Sequence, residues 1–62
     1  MAVDKNGNEL RPGVTYQKGT RKRTFLGYSL WFIVYRNSRG TVADAHAEKW
    51  FKQAVPVKDG DS

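Results

Sequence analysis

The sequence predicts a small α+β domain, a strongly twisted antiparallel sheet of three or four strands with one C-terminal helix lying across a sheet face. Three observations predict it. Glycine-centred breaks divide residues 10–43 into short β-branched and aromatic runs. Apolar residues then change to a helical spacing over 47–55. Sixty-two residues make a single domain (1–62) with a small core, one that buries only about 60% of its unfolded surface.

Asp4, Lys5, Asn6, Gly7 and Asn8 are turn chemistry, since Asn-Gly readily takes positive φ. Arg11-Pro12-Gly13 is a second break, with Pro12 fixing φ and Gly13 relieving the bend. Residues 14–17 (Val-Thr-Tyr-Gln) suit a first strand, and Lys18-Gly19 permits a reversal. A second strand follows over 20–26, with Arg21, Arg23 and Phe25 on one side and Lys22, Thr24 and Leu26 on the other. Its charges suit a sheet edge protected from association. Gly27-Tyr28-Ser29 reads as a bend or bulge, and residues 30–35 (Leu-Trp-Phe-Ile-Val-Tyr) as the strongest strand, apolar at both parities. Residues 37–40 (Asn-Ser-Arg-Gly) close the next hairpin, and 41–43 begin a returning strand.

Ala47, Trp50, Phe51, Ala54 and Val55 form one apolar stripe on a helix. Asp44 is the expected N-cap, Glu48 and Lys52 an i,i+4 pair, and Pro56 the stop. The ordered core is expected over about 9–56, with 57–62 a polar tail.

Charge points toward function. Residues 10–43 contain no Asp or Glu but carry seven cations, Arg11, Lys18, Arg21, Lys22, Arg23, Arg36 and Arg39, which exceeds the net +5 of the whole chain. Six of the eight aromatic residues lie in the same window. Cations interleaved with flat rings suit a polyanion whose bases can also be touched. The expected nucleic-acid-binding residues are Lys18, Arg21, Lys22, Arg23, Tyr28, Trp31, Tyr35, Arg36 and Arg39. Phe32, Trp50 and Phe51 are expected in the core. Strand parity leaves Trp31 and Tyr35 open: exposed, they stack on bases or wedge into a groove, and buried, they complete a small barrel.

Catalysis is not expected. His46 and Asp44 are two residues apart and do not face each other on a helix. The six carboxylates sit toward the chain ends and do not read as a paired acid/base set, and the glycines form no phosphate-cradling loop. With no Cys, neither a disulfide nor a zinc site is expected, and no cofactor or metal. There is no apolar leader, and the longest apolar run is six residues, so the chain reads as a complete, soluble, intracellular protein with no membrane partner.

The pattern Asp4-Lys5-Asn6-Gly7, Leu10, Pro12-Gly13, Tyr16, then a long strand, then Gly40, Val42, Ala43 and Phe51 resembles small bacteriophage- and prophage-encoded proteins. Those have an SH3-like or sheet-plus-helix shape. The order of three strands then a helix is also similar, at the level of fold, to the arm-type DNA-binding domains of integrases, which would make 18–23 and 36–39 the readers. The resemblance implies a phage-type accessory protein in a bacterial cytoplasm. The expected function is non-catalytic binding of nucleic acid, duplex DNA, by a monomer or weak homodimer. The alternatives are a protein-binding module that inhibits or redirects an acidic host enzyme, and a minor phage structural or assembly protein. The alternative fold is an SH3-like β-barrel in which 44–55 shortens to a turn of helix and 55–57 forms a last strand.

Overall fold

The computed structural model describes residues 1–57. Its elements are β1 (Thr15–Lys18), β2 (Arg21–Ser29), β3 (Phe32–Asn37), β4 (Val42–Ala45), a single helical turn α1 (Glu48–Phe51) and β5 (Val55–Pro56). All pairings are antiparallel, and the five strands form one open sheet in the order β4-β3-β2-β1-β5. The molecule is thus a sheet-dominant α+β fold, with more strands than the three or four expected and a much shorter helix.

Register decides which side chains share a face, because paired residues point the same way. Tyr16 opposes Arg23, which opposes Asn37; Phe25 opposes Tyr35, which opposes Ala43; Tyr28 opposes Ile33, which opposes Ala45. This face carries the core, where Tyr16, Phe25, Ile33 and Phe51 are almost wholly buried. The other face carries Thr15, Thr24, Arg36 and Val42 in one row, with a 2.7 Å hydrogen bond between the two threonine Oγ1 atoms. A bulge between Phe25 and Gly27 keeps Phe25 and Tyr28 on the same side although they are three residues apart.

Phe51 is the centre of the core. Its ring packs edge-on against Tyr16 from β1 (5.6 Å), Phe25 from β2 (6.2 Å) and Tyr35 from β3 (6.1 Å). The one turn of α1 exists to place it, with Ala47 and Ala54 buried on either side. Asp44 does not cap this helix. It lies opposite Val34 in β4, and Ala47 takes the cap position without a side-chain hydrogen bond. Residues 42–46 alternate in exposure, a strand period that runs straight into the helical one. Val55 and Pro56, the expected helix end, instead pair with Gln17 and Tyr16.

The ordered part begins earlier than residue 9. Val3 bridges Glu9, and buried Asp4 accepts the N–H groups of Asn6 (2.8 Å) and Asn8 (3.1 Å), tying a small hairpin. The Lys5 N–H donates to the Ala54 carbonyl at 2.8 Å, fastening that hairpin to the segment before β5. Val57, expected in the tail, donates its N–H to Thr15 at 2.8 Å, and the rest of that tail lies outside the described residues. β2, expected at an edge, is the central strand.

Candidate nucleic-acid interface

Two turns meet at one end of the sheet. Lys18 pairs with Arg21 across the β1–β2 turn, where Gly19 takes a φ of 62° and its carbonyl accepts the Gln17 side-chain amide at 2.7 Å. The β3–β4 turn lies at the same end because Arg23 opposes Asn37. Asn37 builds that turn: its Oδ1 accepts the N–H of Arg39 and of Thr41, each at 3.0 Å. An open cleft of about 340 Å³ lies between the turns, lined by Arg21, Lys22, Arg23, Tyr35, Asn37, Ser38 and Arg39. Lys18 lines an adjoining cleft with Arg21 and Trp50. Five of the expected cations, Lys18, Arg21, Lys22, Arg23 and Arg39, therefore converge on one end of the molecule, and four of them line the first cleft.

Arg23 differs from the rest. Its guanidinium lies over the Tyr35 ring at 4.5 Å and over the Trp50 ring at 4.6 Å, so it is partly buried where Arg21, Lys22 and Arg39 are exposed. Arg36 differs in another way. It opposes Thr24 and Val42 on the outer face of the sheet, away from the core side that holds Arg23.

The aromatic part of the expected site divides. Tyr35 is only 8% exposed and belongs to the core, with its ring covered by Arg23. It forms no platform with Trp31, because the run 30–35 is not one strand. Leu30 and Trp31 are the two-residue turn joining β2 to β3, with Ser29 opposite Phe32. Trp31 is 81% exposed and Leu30 86%. This tip stands at the other end of β2 from Arg21, roughly 26 Å away at about 3.3 Å per residue. Tyr28 is half exposed beside the tip, and its hydroxyl accepts the Ala2 N–H at 3.0 Å. Trp31, Tyr28 and Leu30 share a shallow cleft with Met1 and Glu48, and none of the seven cations lines it.

Leu30 has a φ of 56°, a left-handed conformation that glycine or asparagine would be expected to occupy. The turn thus holds an exposed leucine in a conformation that costs of order 1 kcal/mol. Sequence reasoning passed over Leu30, Asn37 and Trp50 as site residues. Asn37 was marked by its place in Asn-Ser-Arg-Gly; the apolar run around Leu30 contained no turn residue to reveal the tip.

His46 is exposed, its ring 4.6 Å from that of half-buried Phe32. Among the described residues no group of three His, Cys, Asp or Glu side chains comes together as a metal site. No helix among them is long and apolar enough to cross a membrane. No protein-family model, curated protein or solved structure matches this chain.

Proposed function

We propose that this protein binds nucleic acid without catalysis, and that duplex DNA is its ligand. The observation that carries the reading is the convergence of the β1–β2 and β3–β4 turns, which gathers Arg21, Lys22, Arg23 and Arg39 around one open cleft and Lys18 on the cleft adjoining it. Phosphates attract such a cluster independently of base sequence, by releasing counterions. The burial of Tyr35, and the contact of the half-buried Trp50 ring with the Arg23 guanidinium, favour a duplex over a single strand, since they reduce the ring surface on which a base could stack. The wider setting, an accessory protein of phage type in a bacterial cytoplasm, rests on the turn-glycine and apolar spacing alone. Two features of the SH3-like alternative are present, the one-turn helix and a last strand that pairs with β1, but the sheet is open, with β4 and β5 at its two edges and not closed into a barrel.

The test is a titration of a labelled duplex by fluorescence anisotropy at several salt concentrations. Binding at about 50 mM salt is expected, weakening with a slope of log affinity against log salt near −0.9 per phosphate contact. Absence of binding at that salt overturns the reading.

A second reading, a protein-binding module, is favoured by the Leu30–Trp31 tip. Two large apolar side chains are held out on a strained turn, away from every cation of the cleft. Tryptophan at a protruding position is a frequent anchor in protein interfaces. In a Trp50→Phe variant, Trp31 should emit as a wet indole. Leu30→Gly should raise the melting temperature by no more than about 4 °C, since the relief of about 1 kcal/mol of strain is partly offset by the freedom that glycine gives the unfolded chain. If duplex DNA binds and leaves Trp31 emission unchanged, the tip is free for another partner. Strong quenching assigns the tip to the nucleic acid instead.

A further inference from the structure

We propose that Arg23 is a pre-aligned fork for one phosphate group, with Tyr35 and Trp50 as its positioning residues; the proposal rests on the nucleic-acid reading and gives it a single anchoring contact. A guanidinium is planar and presents five N–H donors in its own plane, a geometry that matches two oxygens of a phosphate. Contacts with the Tyr35 and Trp50 rings hold the Arg23 group in place. Rings occupy its faces and leave its donors unspent: none of the side-chain hydrogen bonds among the described residues uses an Arg23 N–H. No buried side-chain nitrogen there lacks a partner, so the unspent donors reach solvent.

Arg23 itself lines the cleft that Arg21, Lys22 and Arg39 also line. A stacked arginine in a neutral or acidic setting would be explained by packing alone. Here three more cations surround it, and their mutual repulsion is relieved when an anion enters. Both rings beside Arg23 already carry its guanidinium on one face, which suits the cleft to a phosphate more than to a base. A pre-set fork also loses less rotamer freedom on binding than a solvated lysine or arginine. The shared chemistry is a phosphate with two free oxygens, whether in the backbone of a duplex or as free inorganic phosphate.

The experiment follows the arginine Nε–H signals by NMR in the native chain. One arm adds inorganic phosphate against sodium chloride at matched ionic strength; the other adds a duplex with hydroxyl ends. The Arg23 signal should shift in both arms, and more than those of Arg21 and Arg39. Arg23→Lys, which keeps the charge but not the fork, should weaken the duplex about tenfold. Arg21→Lys should weaken it by less than about threefold. Equal effects of the two lysine variants, or an Arg23 signal that moves in neither arm, overturn the fork. Duplex binding with Arg23 silent removes the fork and leaves the nucleic-acid reading intact. A response to inorganic phosphate without duplex binding keeps the fork and removes that reading. If Arg23→Lys does not fold, the titrations of the native chain decide.

Discussion

Phe51→Ala should leave the chain largely unfolded at room temperature. The ring is fully buried and packs edge-on against Tyr16, Phe25 and Tyr35, so its removal opens a void bounded by three strands. Deleting a buried phenylalanine to alanine costs about 3–5 kcal/mol, transfer and cavity together. A domain of this size without a disulfide holds roughly that much stability in total. The N-terminal hairpin, fastened to Ala54 three residues along the chain, should loosen with it. Near-UV circular dichroism and urea unfolding are the measurements, and a native-like spectrum with an unchanged midpoint would refute the central role of Phe51. Trp50→Ala should be milder. Its ring is half-buried and packs against the Phe51 ring at 4.9 Å and the Arg23 guanidinium, so part of the space it leaves is open to water.

The contrast between these neighbours shows where the sequence was legible. The stripe of Ala47, Phe51 and Ala54 does face the core, as the spacing predicts, but it continues as a helix for only one turn. Pairing of Val55 and Pro56 with β1 takes the far end of the stripe, and β4 takes the expected cap residue Asp44, because tertiary hydrogen bonding outweighs local helical preference. The parity of β2 was readable: Arg23 and Phe25 share the core side, and the bulge that follows sits next to Gly27. The turns at Gly7, Gly13, Gly19 and Gly40 were readable for the same reason, each glycine taking positive φ. The Leu30–Trp31 turn was not. A reversal built on a left-handed leucine has no local signature, and the apolar run on both sides of it reads as uninterrupted strand. That one hidden turn separates Trp31 from Tyr35 and from the arginines, and with it the expected joint platform of rings and cations disappears. The basic cluster survives because it depends on hairpin pairing, which the turn residues at 19 and 37–40 announce.

Neutralising Arg21, Lys22 and Arg39 together to glutamine should strongly reduce the salt dependence of duplex binding. All three are exposed, and surface changes of this kind usually alter stability by no more than about 0.5 kcal/mol, so the fold should persist. Arg23 is left in place because it packs on Tyr35 and Trp50. If each lost cation meets a phosphate, the slope of log affinity against log salt becomes shallower by up to about 2.7, at about 0.9 per contact. Over a fourfold rise in salt, the native complex would then weaken by about 40-fold more than the variant complex. Two controls locate the surface. Arg11 lines a different cleft together with Asp4 and Glu9, so Arg11→Gln should leave the slope where it was. Arg36 stands on the outer face of the sheet, and Arg36→Gln should change the slope little. If Arg36→Gln lowers the slope by a full contact while the triple variant does not, the duplex lies against the outer face, and the cleft between the two turns is not its seat.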